Sequence, residues 1–531
     1  MLVQRLRRCF SVKRLLSRRS HSMATRDYKS AVEALNSLQT NHQVLDQIRK
    51  SGRPNVNGRR SIDEDREYVK RIGYQLEDLN KLNVIHITGT KGKGSTSAFC
   101  DSLLRCMKPE LKVGMYTSPH LVAVRERIMI DGRPLEEEKF AKYFLGSLGS
   151  PGRKRKEGVG DESDMKPKPM YFRYLTLLMW HVFLSEKVDA SIVEVGIGGT
   201  FDSTNIVPKP KIAGITSLGI DHVTVLGKTI PEIADQKGGI YKQDVPAFTV
   251  EQPQEGFEVL KRKATEANVR SFNVVTINPE LRHLTLGLAG VHQLSNASLA
   301  VSMVLAFLNP TADLATSTTP PHLHSSIIAP SPLPPLIVKG LEEVRWPGRC
   351  QIAERGRLRW LLDGAHTVES LKVCAEWWVD TVKTHPNRKR VLIFNCTSGR
   401  SGESLLDSFL TTAAGVAFED GKKTLDRFFD NVIFCTNVTY KDGGFKGDLQ
   451  ASNISPESLQ QMTVQQELAD IWRVLVQRDD LTPFRTSETA VSVLPSIEDA
   501  IQLVQTEGTV DVLVTGSLHL IGGLMDVAKL I

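Results

Sequence analysis

The chain is 531 residues long with 41% hydrophobic and 24% charged residues, too long for a single core and ordinary for a globular enzyme. Its formal charge of +7 hints at nucleic acid, but Arg5, Arg7, Arg8, Lys13, Arg14, Arg18 and Arg19 all fall within residues 1–22, where there is no carboxylate. The remainder is formally neutral, so no electrostatic footprint for nucleic acid is left.

Residues 1–22 are Arg-rich, Ser-bearing and acid-free, with Leu2, Leu6, Phe10, Leu15 and Leu16 interspersed. They read as a mitochondrial transit peptide rather than a basic tail. Met23 follows at once and offers a second start for a cytosolic form, so both mitochondrion (matrix or inner-membrane associated) and cytoplasm are expected. Residues 27–50 carry Ala31, Leu35, Leu38, Leu45 and Ile48 at near-helical spacing. Next, Val84-Ile85-His86-Ile87 forms an apolar strand that ends in Thr88 and the loop Gly89-Thr90-Lys91-Gly92-Lys93-Gly94-Ser95. Ala98, Phe99, Leu103 and Leu104 then mark an amphipathic helix. Strand, glycine-rich turn and helix start are the context of a phosphate-binding loop. Glycines let N–H groups converge on an anion, the helix dipole adds to them, and Lys93 supplies a point charge. The spacing G-x-x-G-K-G-S departs from the common GxxxxGK[ST] form.

Residues 149–169, rich in Gly, Pro and charge, read as a surface insertion, and the basic run at 153–156 as solvated loop rather than a nuclear signal. The apolar segment from Tyr171 to Leu184 is too short to cross a bilayer and holds Arg173 and His181, so it reads as a buried helix. Two more strands end in polar residues: one at Glu194, followed by Gly196, Gly198 and Gly199, the other approaching Asp221-His222. Residues 311–335, dominated by Pro, Ser and Thr, read as a low-complexity insertion. Beyond it, strands ending at Asp363, Asn395, Cys435 and Thr515 indicate a second open α/β sheet. The boundary is expected near residues 341–347, at Trp346-Pro347. The seven cysteines are scattered without a CxxC pair, which indicates neither zinc nor a disulfide framework.

Mg-ATP needs hard oxygen ligands beside its phosphates. Glu194 stands at a strand's carboxyl end, where a metal-directed carboxylate belongs; taken alone it serves equally as a capping or ion-paired residue. Thr117 and Ser118 offer hydroxyls after another short strand. His222, alone, would be a structural histidine. Three such groups at the edge that carries the phosphate loop shift the reading towards a site.

Longer stretches carry a family resemblance. They are the phosphate loop; Thr117-Ser118-Pro119-His120-Leu121 with Arg125-Glu126-Arg127-Ile128; and Tyr171-Phe172-Arg173-Tyr174-Leu175-Thr176. Then come Glu194-Val195-Gly196-Ile197-Gly198-Gly199 with Asp202-Ser203-Thr204-Asn205, Gly219-Ile220-Asp221-His222 and Gln236-Lys237-Gly238-Gly239. His292-Gln293 with Asn296, Trp346-Pro347-Gly348-Arg349 and Leu362-Asp363-Gly364-Ala365-His366 complete the set. In this order they resemble the eukaryotic folylpolyglutamate synthases, within the Mur-ligase-like ATP-dependent amide ligases. The resemblance implies a transit peptide at 1–22 and a P-loop-type ATPase domain at 27–342 with insertions at 149–169 and 311–335. A Rossmann-like α/β domain at 345–531 follows.

The implied reaction joins L-glutamate by a γ-amide bond to tetrahydrofolate or its polyglutamates through an acyl phosphate, supporting one-carbon metabolism and folate retention. It uses ATP and Mg²⁺ and admits a monovalent cation such as K⁺; the chain would be a monomer with no transmembrane segment. Carried over residue by residue, Gly89, Thr90, Lys91, Gly92, Lys93, Gly94 and Ser95 cradle the ATP phosphates. Ser118, Glu194 and His222 are the implied magnesium ligands, and Lys237 matches a lysine that is carbamylated in similar enzymes. Asn296, Arg349, Asp363 and His366 would reach the nucleotide, although an interdomain ion pair is open for Arg349. His120, Arg125 and Arg127 are candidates for the folate side, with surface salt bridging open for the arginines. Phe201 stands where a tyrosine is common, which removes one hydroxyl. The competing functions are dihydrofolate synthesis on the same fold, alone or as a second activity, and a nucleotide-binding regulatory protein without catalysis. A cell-wall Mur ligase fits a mitochondrial address poorly.

Overall fold

The computed structural model describes residues 27–39, 54–146, 169–309, 331–396, 401–419, 422–423, 425, 427–442, 462–484 and 489–530. The expected transit peptide, Met23, the second half of the 27–50 helix and nearly all of both insertions lie outside them. Within them, a helix spans Tyr28–Asn36, with Ala31 and Leu35 buried as the spacing predicts.

The first sheet has eight strands: β1 (Val84–Thr88), β2 (Val113–Tyr116), β3 (Ile128–Ile130), β4 (Arg133–Pro134), β5 (Ala190–Glu194), β6 (Ile212–Ile215), β7 (Pro246–Val250) and β8 (Ser271–Val275). Their order is β4-β3-β2-β5-β1-β6-β7-β8. β3 and β4 run antiparallel at one edge and the rest pair in parallel. Every residue of β1 is buried, as expected of a strand covered on both faces. Alternation divides it. Ile85 and Ile87 join Phe99 and Leu103 of the Lys93–Met107 helix and Ala300 and Met303 of the His292–Leu308 helix. Val84 faces the other way, with Leu178 of the buried Tyr171–Glu186 helix. No helix among the described residues is long and apolar enough to cross a membrane.

The second sheet holds β9 (Gln351–Arg355), β10 (Leu358–Leu362), β11 (Lys389–Phe394), β14 (Asn431–Cys435), β15 (Ala490–Leu494) and β16 (Val510–Thr515), while β12 (Phe418–Glu419) and β13 (Lys422–Lys423) pair apart. The order is β15-β14-β11-β16-β10-β9, with only β9 antiparallel. Trp378 and Phe409 fill one face and Leu520, Ile521 and Leu524 the other. Both domains are α/β, as the sequence pattern predicts.

One expectation needs correction. The low-complexity insertion does not extend to Pro335: Leu333 is buried in the first core and Pro335 opens the Pro335–Glu343 helix. Proline at the first helical position costs no hydrogen bond, so a proline-rich composition concealed a helix start. That helix lies on the first domain, with the Ser102 hydroxyl donating to Gly340 O at 2.7 Å. The chain enters the second sheet at Gln351.

Candidate active site

In a parallel sheet the crevice beyond the carboxyl ends of the strands is where ligands bind. β1, β2, β5 and β6 end on the same edge, with Ile87 opposite Glu194 and Thr88 opposite Ile215. The phosphate loop leaves β1 there. Gly89 and Gly92 take φ of +151° and +87°. A Cβ on Gly89 would lie 1.8 Å from Thr216 Oγ1, and one on Gly92 2.2 Å from Asn296 Oδ1, so both positions require glycine. The loop is braced from β6: the N–H groups of Thr90 and Lys91 donate to Ser217 O at 2.9 and 3.2 Å, and Thr216 Oγ1 donates to Lys91 O at 2.6 Å. The Lys93–Met107 helix begins in the loop and aims its first N–H groups at the crevice.

Two lysines meet at this loop. Lys93 Nζ donates to Gly89 O at 3.0 Å and Thr90 O at 3.4 Å, and Lys237 Nζ donates to Gly89 O at 2.7 Å. Lys237 is buried, and burial, followed by the charge of Lys93, holds its pKa well below the usual lysine range. Glu194 is also buried, which raises its pKa against the pull of Lys93, the Ser118 N–H, Arg349 and Arg127. Its Oε2 accepts from Ser118 N at 3.0 Å, while Oε1 takes no protein hydrogen bond among the described residues. His222 follows β6 with φ of 51°. Desolvation lowers its pKa; Asp221 opposes this, and Lys93, Lys237 and Lys91 reinforce it.

Of the three residues implied for magnesium, the structure brings Ser118 and Glu194 into direct contact. The second carboxylate oxygen of Glu194, beside a hydroxyl-bearing residue, is the kind of hard donor that Mg²⁺ takes, and phosphates and water would complete its shell. Among the described residues no three His, Cys, Asp or Glu side chains gather into a metal cage, and a phosphate-bound Mg²⁺ requires none.

The second domain faces this edge. Asp363 leaves β10 and accepts from Cys350 N at 2.8 Å and Ala365 N at 2.9 Å, so its carboxylate fastens the segment after Arg349 to the turn before His366. Arg349 Nη1 donates to Gly348 O at 3.3 Å, and its charge is felt at Glu194. His366 donates from Nδ1 to Gly364 O at 2.7 Å. His366 is felt at Asp221 and Glu369 at Lys91, so the domains oppose each other across the cleft. Asn296 donates to Gln293 Oε1 at 2.9 Å, and Gln293 donates to Ser95 Oγ at 3.4 Å.

The 117–127 loop joins the two halves. His120 and Arg127 are both buried, with Arg127 Nε donating to His120 Nδ1 at 2.9 Å and its guanidinium 5.8 Å from the Tyr171 ring centroid. Surface salt bridging therefore does not describe Arg127. Arg125 turns elsewhere, to Leu135 O at 3.3 Å and Glu137 at 3.9 Å. Sequence reasoning missed three participants here. Glu126 accepts from the N–H groups of Leu121, Val122 and Ala123 at 2.9, 3.2 and 2.7 Å. Leu121 and Val122 pack into the second domain's core with Trp360, Leu520 and Ile521. Trp346 is a fourth omission, since a Cβ on Gly94 would lie 3.2 Å from its Nε1. It stands in Trp346-Pro347-Gly348-Arg349, but nothing in the sequence says that it rests on the phosphate loop.

No family model matches the chain. It is 41% identical over 514 residues to a folylpolyglutamate synthase of Saccharomyces cerevisiae (strain FostersO), covering 95% of this chain and 87% of that one. It is 40% identical over 522 residues to a folylpolyglutamate synthase of Neurospora crassa, covering 97% and 93%. Among solved structures, Mycobacterium tuberculosis folylpolyglutamate synthase complexed with ADP superposes with a TM-score of 0.62 at 20% identity, over 94% of this chain and 98% of that one. E. coli FolC in complex with DHPP and ADP gives 0.60 at 21% identity, over 95% and 98%.

Proposed function

Because this chain belongs to the folylpolyglutamate synthase family, we propose that the crevice between its domains is where ATP drives the extension of a folate's glutamate tail. The chain is an ATP-dependent ligase forming carbon–nitrogen bonds. The observation that carries this siting is the meeting, on one sheet edge, of a glycine loop built for phosphate with the buried carboxylate Glu194 and the ammonium of Lys93.

A carboxylate is a poor acyl donor because its oxygen is a poor leaving group. Attack of the tail's γ-carboxylate on the γ-phosphate of ATP expels ADP and leaves an acyl phosphate. The amine of L-glutamate then attacks the acyl carbon, inorganic phosphate departs and a proton is released. Residues 92–95 hold the phosphates through backbone N–H groups, and Lys93 exchanges two carbonyls for the terminal phosphates. Arg349, placed close enough to act on Glu194, supplies a planar fork for phosphate oxygens from the opposite domain. Ser118, Glu194 and His222 would hold Mg²⁺, which neutralises phosphate charge during transfer. Lys237, as its carbamate, would carry a negative charge beside Lys93 and end the repulsion between two ammonium groups. The buried His120–Arg127 pair is the candidate for a folate carboxylate.

We further assign residues 1–22 to mitochondrial import and Met23 to a cytosolic start; N-terminal sequencing of the protein from both compartments tests this. The decisive test of the activity is ATP-dependent incorporation of labelled glutamate into tetrahydrofolate, run beside dihydropteroate. Incorporation into tetrahydrofolate alone supports the assignment; incorporation into dihydropteroate alone replaces it with dihydrofolate synthesis.

A further inference from the structure

His86 lies on β1, two residues before the end of the strand, and is completely buried. It faces away from Ile85 and Ile87, towards the segment that follows β5. Its Nε2 is 2.9 Å from Thr204 Oγ1. Thr204 in turn has its N–H and its hydroxyl on Asp202 Oδ1, at 3.0 and 2.6 Å. The other oxygen, Asp202 Oδ2, accepts the N–H groups of Gly196 and Ile197 at 3.1 and 3.2 Å.

Proton direction in this chain follows from the donors on Asp202: burial raises the pKa of its carboxyl, while the Thr204 hydroxyl and the N–H groups of Thr204, Ile197 and Gly196 favour the ionised form. Asp202 offers only acceptors when ionised, so the Thr204 hydroxyl donates to it. A hydroxyl has one proton, so Thr204 Oγ1 accepts from His86, and His86 Nε2 carries the hydrogen. Nδ1 is then the bare nitrogen; it is buried and has no partner. Burial, helped by the charge of Lys242, lowers the pKa of the ring to about 3, in keeping with one proton on the imidazole.

The turn that Asp202 holds supports the active edge from two sides. Gly198 O accepts from Thr88 Oγ1 at 2.5 Å, which ties it to the base of the phosphate loop. Thr200 donates from N and Oγ1 to Gln236 O at 2.8 and 3.0 Å, and a Cβ on Gly199 would lie 2.9 Å from Lys237 O. The turn therefore seats the end of the Ile230–Gly238 helix, where Lys237 reaches for Gly89 O.

We infer that His86 is a positioning residue: as the Nε2–H tautomer it directs the Thr204 hydroxyl onto Asp202, and so fixes the 196–199 turn that sets Lys237 against the phosphate loop. The kinetic part of the test rests on the ligase assignment above; the tautomer part does not. In the full chain labelled with ¹⁵N-histidine, the His86 ring should show a hydrogen on Nε2 and none on Nδ1. A hydrogen on Nδ1 overturns the inference whatever the reaction proves to be. His86→Leu removes the donor, and kcat for glutamate addition should fall roughly tenfold with KM for ATP little changed. His86→Gln places an amide N–H near the position of Nε2 and should recover most of the loss. Wild-type kcat in His86→Leu, or equal loss in both variants at equal melting temperature, overturns the positioning role. If His86→Leu does not fold, the tautomer and the kcat of His86→Gln decide the matter, and a Gln variant no more active than a Thr204→Val variant counts against it.

Discussion

Lys93 and Lys237 donate to one and the same acceptor, the carbonyl oxygen of Gly89, at 3.0 and 2.7 Å. Burial first, and repulsion by the ammonium of Lys93 second, push the pKa of Lys237 well below its usual range. Lys93 also touches Thr90 O and stands at the mouth of the helix N-terminus, free to follow a phosphate. The pair thus divides into a phosphate cation and a lysine poised to lose its proton.

For Lys93, this predicts a loss that charge alone does not rescue. Lys93→Ala should lower kcat for glutamate addition by roughly 10²- to 10³-fold, in line with removal of one preorganised electrostatic partner. Lys93→Arg should recover little, because a planar fork does not fit a pocket shaped around a compact ammonium. Labelled-glutamate incorporation at saturating ATP measures both, and full activity in Lys93→Ala would refute the siting of ATP at this loop.

Lys237 gives a pH prediction of definite sign. Only the neutral amine attacks CO₂, so at fixed dissolved CO₂ the carbamate of Lys237 should grow as pH rises and vanish on acidification. Intact-peptide mass or a ¹³C signal from labelled CO₂ would follow it. In CO₂-free buffer the same depressed pKa acts on stability. The unfolded chain binds a proton at this lysine up to about pH 10.4 and the native chain releases it lower, so stability rises with pH between the two. Lys237→Met should flatten that rise in denaturant titrations between pH 7 and 10. An unchanged slope would show that Lys237 keeps its proton in the native state.

Much of the active edge was legible in the sequence because parallel strands covered on both faces read as short apolar runs, and site residues follow them directly. β1, β2, β5, β6, β10, β11, β14 and β16 were all marked in this way. β7 and β8 were not, because the residues after Pro246–Val250 and Ser271–Val275 carry no glycine turn or recognisable site pattern, although Gln252 in fact braces Thr216 and Leu218. Contacts between distant segments were illegible for a different reason. Nothing local in Leu121 or Val122 says that they sit in the second domain's core, and nothing in Asp363 says that its oxygens accept two nearby N–H groups. His86 appeared only as one residue of a strand; its partner lies 118 positions away.

Glu126 should control the order of the 117–127 loop. One carboxylate accepts the N–H groups of three successive residues, a charge-assisted arrangement worth more than neutral bonds. Glu126→Gln keeps the shape but turns an NH₂ group towards donors. Amide hydrogen exchange at residues 121–123 should accelerate markedly, while exchange in β1 stays as it is. Equal protection in the variant would mean that the second domain, not Glu126, orders the loop.

The domains approach each other closely at Gly522, on the Leu518–Val527 helix, where an added Cβ would lie 1.9 Å from Leu121 O. That oxygen is main chain on a loop held by Glu126 and cannot turn aside, so Gly522→Ala must push the domains apart. Overpacking of this kind costs about 1–3 kcal/mol or more. The neighbouring Gly523 meets the end of the Ile497 side chain at 2.5 Å, a methyl group that can rotate away, so Gly523→Ala should cost less. Gly415, inside the exposed side of the Gly402–Ala417 helix, has nothing within 4 Å of its added Cβ. There alanine should stabilise by about 0.5–1 kcal/mol through helix propensity and a less free unfolded chain. Melting temperatures should therefore rank Gly415→Ala above wild type, then Gly523→Ala, then Gly522→Ala. Gly522→Ala alone should also lose glutamate addition, because the displaced loop carries Ser118 at one end and Arg127 at the other. If Gly522→Ala melts low yet keeps full activity, the domain contact stabilises the chain without setting the geometry of the crevice.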